Sequence, residues 1–205
     1  MDIKLPMLKV QMLGGLSLTW GDTVLSFSRK TATKAIKLLQ ILLYYGEKGI
    51  SRNELIENLY KTEELMDALN SLRVTAYRMK KMLVNMGLPE YNYIKISKGI
   101  YYWNGPMETK VDVHQFCYFI RKSEKESDEE ERINWLRKAC DIFKGELLPN
   151  SSEDEWVLIE NLQCKKMYDC ALQQLCDYLW SKEEYEVILR LCQSACIIYP
   201  LDKWQ

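Results

Sequence analysis

Short apolar runs separated by glycine-containing pairs open the chain. The runs cover residues 8–12, 16–20 and 24–27, and the breaks fall at Gly14-Gly15 and Gly21-Asp22. Apolar runs of this length that are bounded by glycine are typical of strands joined by tight turns. The start of the chain therefore predicts a small antiparallel sheet.

Helical periodicity then replaces the strand pattern. Apolar residues between positions 35 and 43 predict a first helix that ends at Gly46. Ser51 and Glu54 form a capping box, which predicts the start of a second helix after a short link. A third helix is predicted over residues 67–85, because apolar residues recur there at intervals of three and four.

The third helix has two contrasting faces at about 100° per residue. The apolar face holds Leu69, Leu72, Ala76, Met79 and Leu83. The opposite, polar and cationic face consists of Asp67, Asn70, Val74, Tyr77, Arg78, Lys81 and Asn85, with Arg73 and Lys80 at its boundary. Such amide, guanidinium, ammonium and methyl groups contact base edges and phosphates in a DNA major groove. A solvated basic helix on an ordinary helical protein has the same pattern, so the surrounding elements must decide.

A β-hairpin is predicted directly after this helix. Two β-prone arms, 91–96 and 100–103, flank a Ser-Lys-Gly turn, with Lys95 on one arm and Lys98 in the turn. The order of sheet, three helices and hairpin is that of a winged helix. The fold class predicted for residues 1–105 is thus α+β, a winged helix with a small antiparallel sheet, three helices and a C-terminal wing hairpin.

Charge is distributed unevenly, although the net charge is only −1. Residues 1–105 hold 15 Lys and Arg against 9 Asp and Glu, whereas residues 106–205 hold 13 against 20. A basic half joined to an acidic half favours contact of the basic half with a polyanion.

Every long segment beyond Gly105-Pro106 is predicted to be helical. One apolar face runs from Ile133 to Phe143, and a long helix is predicted from Trp156 to Trp180. With Pro200 as the closing proline, the end of the chain matches one tetratricopeptide (TPR) helix pair of about 34 residues. Its apolar or small positions are Leu172, Leu175, Cys176, Leu179, Ile188, Cys192 and Ala195. Residues 106–205 are therefore predicted to form an all-α, TPR-like domain.

Helix pairs of this kind stack on neighbours, and the sequence ends where another helix would begin. We therefore expect the chain to be either a piece of a longer regulator or a minimal form with an exposed end.

These motifs resemble a known family. Residues 8–104 resemble the winged helix-turn-helix of OmpR-type response regulators, on the motifs at 13–18, 51–56, 71–83 and 99–101. The Val-Asp at 111–112 with Phe116, and the 139–148 segment, are similar to the junction and helical domain of the Streptomyces antibiotic regulatory protein (SARP) family. In that family a bacterial transcriptional activation domain follows the winged helix.

The resemblance implies an activator that binds direct repeats in double-stranded DNA near promoters and contacts RNA polymerase. A homodimer on DNA is one option, and the sequence leaves the oligomeric state open. From the helix face and the hairpin, the residues predicted to face bases are Asn70, Arg73, Val74, Tyr77 and Arg78. Those predicted to hold phosphates are Arg52, Lys80, Lys81, Lys95 and Lys98.

Several classes of function are not expected. There is no phosphate-binding GxxxxGK[ST] loop, and a single histidine, His114, makes Ser-His or Cys-His catalysis improbable. The seven cysteines all lie in the second half without a CxxC motif, so they are interpreted as reduced thiols rather than a metal site. No apolar run reaches the roughly 18 residues that span a bilayer, and no secretory signal is evident. We expect a cytoplasmic protein with no enzymatic activity, cofactor, metal or membrane partner.

Two alternatives remain open. The chain could be a helical-repeat scaffold whose winged helix docks protein rather than DNA. The helical half could also sense a ligand, because the concave surfaces of helical repeats bind peptides and small molecules.

Overall fold

The structure is a computed structural model that describes residues 5–27, 33–60 and 67–200. The chain divides into two compact units. The first combines Met1–Val10 with Ser17–Val111, and the second combines Gln11–Leu16 with Asp112–Gln205. This division falls at Val111, beyond the Gly105-Pro106 boundary placed from the sequence, because residues after Gly105 return to the N-terminal sheet.

The first unit contains seven strands and three helices among its described residues. In chain order they are β1 (Leu8–Gln11), β2 (Ser17–Trp20), β3 (Thr23–Leu25), α1 (Thr33–Tyr45), β4 (Ile50–Ser51), α2 (Arg52–Tyr60), α3 (Ala68–Asn85), β5 (Ile94–Ser97), β6 (Ile100–Trp103) and β7 (Thr109–Val111). The predicted winged-helix fold class is confirmed in its helices and in its hairpin.

The N-terminal sheet differs from the prediction. It has four strands in the order β3-β2-β1-β7, and β7 runs parallel to β1 with Leu8 aligned to Thr109. The sheet is therefore mixed rather than purely antiparallel, although β2 and β3 do form an antiparallel pair. A three-residue strand that returns from a distant part of the chain leaves no periodic signal in the sequence.

Apolar side chains from one face of each helix form the hydrophobic core of this unit. Leu38, Leu42, Leu55, Leu72 and Leu83 are all almost completely buried, and α1 packs against both α2 and α3. Ser51 caps α2 as predicted, since its hydroxyl accepts a hydrogen bond from the backbone N–H of Glu54 at 3.3 Å.

The wing is an antiparallel hairpin of β5 and β6, with Ile96 opposite Tyr101. Its two-residue turn, Lys98-Gly99, has positive φ at both residues, as a type I′ turn requires. The link between α1 and α2, expected to be a plain connection, contains β4, which pairs with β6 and makes the wing sheet three-stranded.

The second unit is a succession of packed helices. They are α4 (Asp112–Lys125), α5 (Glu129–Ile142), α6 (Glu155–Ser181) and α7 (Tyr185–Ile198), with a short 3-10 helix at Pro149–Ser151. Each α-helix packs on the next, and in the interior Phe143 stacks on Tyr168 and lies tilted against Phe116. The predicted face from Ile133 to Phe143 is buried. The all-α, TPR-like class is thereby confirmed.

A buried carboxylate joins residues 11–16 to this unit. Asp112 accepts hydrogen bonds from the backbone N–H groups of Met12, Leu13 and Val113 at 2.7–2.9 Å. Burial raises the pKa of Asp112 to about 6, although these hydrogen bonds act in the opposite direction. The sequence alone gave no sign of this connection.

Candidate nucleic-acid interface

The third helix is fixed in place by a cap and by its buried stripe. Asp67 caps α3, because its carboxylate accepts a hydrogen bond from the backbone N–H of Asn70 at 2.9 Å. Leu72, Met79 and Leu83 are buried against the rest of the first unit. These contacts set which face of the helix is directed to solvent.

The predicted apolar face needs one correction. Leu69 is 41% exposed and Ala76 is only half-buried, whereas Thr75 and Met82 are buried. The buried stripe is therefore rotated away from Leu69. Thr75 occupies the interior because its hydroxyl shares a 2.8 Å hydrogen bond with the hydroxyl of Tyr60 on α2.

The outer face of α3 lies where the periodicity placed it. All its predicted members are exposed, namely Asp67, Asn70, Val74, Tyr77, Arg78, Lys81 and Asn85. Arg73 is also exposed and Lys80 is partly exposed. The ammonium of Lys81 lies 5.3 Å from the centre of the Tyr77 ring, a cation–π contact that orders both side chains at the surface.

The remaining predicted cations lie on α2 and on the wing. Lys95 and Lys98 are exposed on the hairpin, and Arg52 is exposed at the start of α2. The backbone N–H of Arg52 donates to the carbonyl of Gly99 at 3.1 Å, which brings Arg52 next to the wing turn. Since side chains alternate along a strand, Lys95 lies on the opposite face of the hairpin from Ile94 and Ile96.

A groove of 490 Å³ separates α3 from the wing. Four predicted site residues line it, Arg52, Arg73, Tyr77 and Lys80, together with Leu69 and Ile96. Asn70, Val74, Arg78 and Lys81 lie on the neighbouring outer face of the helix instead. The sequence missed Leu69 and Ile96 as site residues, because nothing local indicates that a strand and a helix meet there.

Two further contacts shape this groove. Lys80 forms a 3.0 Å ion pair with Glu90, which is itself largely exposed. Tyr93 is buried at the base, donates to the carbonyl of Pro89 at 2.6 Å and stacks on Trp103. Burial raises the pKa of Tyr93 to about 12, so this residue is a neutral structural support.

Neither a cluster of metal ligands nor a membrane-spanning helix is found among the residues that the structure describes. Within residues 5–27, 33–60 and 67–200, no group of three or more His, Cys, Asp or Glu side chains is placed to hold a metal ion. No helix in those ranges is long and apolar enough to cross a bilayer.

A winged helix joined to stacked helix pairs defines the architecture of a two-part transcriptional regulator. Residues 95–205 match the model of the bacterial transcriptional activator domain, and because this is more than half of the chain, the protein belongs to that family. Its combination of domains is that of a SARP-type transcriptional regulator.

A solved structure shows the same fold. The chain is similar to Mycobacterium tuberculosis EmbR, determined in complex with a low-affinity phosphopeptide, with a TM-score of 0.71 and 14% sequence identity. The similarity covers 96% of this chain and 52% of EmbR, so the chain spans about half the length of that protein. No curated protein sequence matches the chain.

Proposed function

We propose that the protein is a sequence-specific DNA-binding regulator that activates transcription in the cytoplasm without enzymatic activity. The observation that carries the proposal is the exposed outer face of α3, beside a wing that bears exposed lysines. Residues 1–105 would bind DNA, and residues 106–205 would act as the activation domain.

The outer face of α3 supplies groups suited to reading bases. Arg78 can donate two hydrogen bonds to guanine, Asn70 can pair with adenine, and Val74 can contact a thymine methyl group. Arg73 and Tyr77 lie at the edge of this face. Each good bidentate contact contributes about 1–3 kcal/mol of discrimination against a wrong base.

The cations around that face supply contacts to phosphate. Arg52 and Lys98 lie together at the wing turn, while Lys80 and Lys81 follow the helix and Lys95 lies on the arm of the hairpin. Contacts of this type set the register of a protein on a duplex and make its affinity depend on salt.

Selection of bound sequences from random duplexes, followed by affinity measurement over a salt series, tests the proposal. Arg78→Ala should relax the sequence preference at one position. Lys98→Ala should weaken binding to all duplexes alike and reduce the salt slope by about one. Lys9→Ala, a change at an exposed lysine on β1, is the matched control and should leave both quantities unchanged. Wild-type protein that binds no duplex at low salt would refute the proposal.

A second candidate function is protein docking by the winged helix. The exposed apolar side chains Leu69, Val74 and Ile96 favour it, because protein interfaces use such groups. Retention on random duplex DNA at low salt with elution by moderate salt favours DNA. Binding to protein that persists at high salt, without retention on DNA, favours docking.

The helical unit would bind RNA polymerase while two copies of the chain occupy a direct repeat. Gel-shift titration on duplexes with one or two half-sites tests the pairing, since a homodimer on DNA should bind two half-sites cooperatively. Recruitment of polymerase to that duplex by the full chain, but not by residues 1–111, which retain β7, tests the role of the second unit.

A further inference from the structure

A cavity of 420 Å³ lies within the second unit and shares no residue with the candidate nucleic-acid interface. Residues one helical turn apart line it, Ile120 and Glu124 on α4 and Arg132 and Leu136 on α5. Helix α6 contributes side chains between positions 166 and 174. One face of each of three helices is therefore turned towards the cavity. Its volume is near the lower end of the range for small-molecule sites, about 300–1,000 Å³.

The floor of this cavity is apolar. Ile120, Leu136 and Ala171 close it, and all three are nearly inaccessible to solvent. Met167 is half-buried at its side. Because the unbranched thioether chain of methionine adapts to neighbours of different shape, this wall can pack against more than one apolar group. The floor is therefore suited to an aliphatic side chain on a small ligand.

Two carboxylates and two cations surround the floor. Glu124 and Glu126 are the acids, and Arg132 and Lys166 are the bases. All four residues lie in the described part of the chain, yet no ion pair joins either acid to either base. Opposite charges that share one cavity without pairing to each other are available to a ligand that carries both signs of charge.

Two of these charged groups are held in position by other parts of the unit. One oxygen of the Glu126 carboxylate accepts hydrogen bonds from the backbone N–H groups of the next two residues, at 3.0 and 3.3 Å. Its second oxygen remains available to a ligand. Arg132 donates through Nη1 to the side-chain oxygen of Gln174 at 3.0 Å, while its Nη2 lies 3.8 Å from Glu129, too far for a hydrogen bond. Groups fixed before binding lower the entropic cost of binding a ligand.

Ligands with a single kind of charge match this cavity poorly. A phosphate compound would bring negative charge against Glu124 and Glu126, and a polyamine would bring positive charge against Arg132 and Lys166. An uncharged apolar molecule would remove water from all four groups without replacing it, which is unfavourable. A small apolar molecule that has both an ammonium and a carboxylate gives each group a partner.

We propose that this cavity binds an apolar amino acid, either free or as a short peptide with both termini unblocked. Glu124 and Glu126 hold the ammonium, Arg132 and Lys166 hold the carboxylate, and the side chain lies on the apolar floor. Glu124 belongs to the last turn of α4, where the partial negative charge of the helix end also favours an ammonium. This inference is independent of the proposed DNA binding, because the lining residues all belong to the second unit.

Isothermal titration calorimetry of the full chain with L-leucine and with L-leucyl-L-leucine tests the site. At least one of the two should bind, and the tighter one tells whether the free amino acid or the peptide is preferred. Acetylation of the amine or amidation of the carboxylate should each weaken binding about tenfold, because a charge-assisted contact is lost. Glycine or diglycine, which keep both charges without the aliphatic side chain, should also bind about tenfold more weakly.

Two variants at exposed lining residues assign the charges. Lys166→Gln should weaken binding of the free ligand about tenfold and narrow its advantage over the amidated form, because both changes remove the same contact. Glu124→Gln should do the same for the acetylated form. Lys144→Gln and Glu130→Gln, at exposed residues outside the cavity, are the matched controls and should bind like the wild type. Thermal unfolding without ligand should be unchanged in all four variants, since each replaces an exposed side chain.

Three results would overturn the assignment. The first is no binding of either ligand by the wild type at about 10 mM, which is weaker than the millimolar range of small-molecule sites. The second is equal binding of the free and blocked ligands, which would mean that the charges are not recognised. The third is unchanged affinity in both Lys166→Gln and Glu124→Gln, which would place the ligand elsewhere. None of them bears on DNA binding, which is measured separately.

Discussion

Helices α3 and α7 both lie at the surface of their units, yet they present opposite kinds of side chain to solvent. Helix α3 buries five residues and exposes cations and amides. Of the residues of α7, which the structure describes in full, only Ala195 is buried. The helix exposes apolar side chains to solvent, and Ile197 is 81% exposed. The apolar face of a surface helix can therefore be packed against the rest of its unit, as in α3, or remain exposed to solvent, as in α7.

The difference follows from what anchors each helix. α3 packs on α1 and carries a side-chain cap at its start, whereas Glu184 at the start of α7 forms no side-chain cap hydrogen bond. In helical repeats each pair relies on a neighbour to cover its apolar face. We expect α3 to be rigid and α7 to be loosely held in the isolated chain.

The largest difference should come from truncating one leucine on each helix. Leu83→Ala on α3 removes a completely buried side chain and should lower the free energy of unfolding of the first unit by about 2–5 kcal/mol. Leu189→Ala on α7 truncates an exposed side chain and should change stability by less than about 0.5 kcal/mol. Urea titration followed by circular dichroism measures both. Equal losses would show that α7 is as well packed as α3.

The next largest effect is expected on the alkylation rate of Cys176, which lies on α6 beside Cys192 of α7. Burial raises the pKa of Cys176 to about 11, with smaller contributions from Cys192, which is hydrogen-bonded to it, and from Asp177. Relative to the ordinary value of 9.0, the thiolate population at pH 8 falls about 100-fold, and alkylation should slow accordingly.

The sign of this shift also predicts a pH dependence. The folded state holds the Cys176 proton more tightly than the unfolded state does, so this contribution to stability is present below about pH 9 and is lost as the pH rises through about 11.

Alkylation followed by tandem mass spectrometry measures the reactivity of each thiol. It should show slow modification of Cys176 and fast modification of the exposed Cys196. Equally fast reaction of both would mean that α7 is detached.

The same two helices show what the sequence could predict. Periodicity was sufficient for the outer face of α3, because that face depends only on spacing within one helix. It misplaced Leu69, which is 41% exposed and lines the groove beside the wing, an element more than twenty residues away in the chain. For α7 the TPR pattern located the helix pair correctly, but Ile188 and Cys192 are only half-buried.

Non-local contacts account for the other differences. Strands β4 and β7 are two and three residues long, too short to carry an alternating pattern. The groove likewise forms only when Ile96 and Arg52 are brought to α3 by folding. The exposed cations of the candidate site were therefore predictable from charge and spacing, whereas the apolar residues that line the groove were not.

Loss of the buried hydrogen bond between Thr75 on α3 and Tyr60 on α2 should lower stability by an intermediate amount. Thr75→Val keeps the shape of the side chain but leaves the Tyr60 hydroxyl without its 2.8 Å partner, so stability should fall by about 1–3 kcal/mol. Adding Tyr60→Phe removes the unpaired hydroxyl and should recover most of the loss. A double-mutant cycle on the free energy of unfolding measures the coupling. If the double variant were less stable than Thr75→Val, the bond would not be the cause.

The smallest effects are expected at the helix starts, and they should have opposite signs. Asp67→Ala removes the cap of α3 and should cost about 1 kcal/mol, because the backbone N–H of Asn70 loses its acceptor. Glu184→Ser places a good capping side chain at the start of α7 and should stabilise that helix by up to about 1 kcal/mol. Amide hydrogen exchange resolves both changes, since it reports local opening of each helix separately. Faster exchange in α3 with slower exchange in α7 is the expected pattern. No response of α7 to its new cap would mean that its looseness arises from the uncovered apolar face rather than from the missing cap.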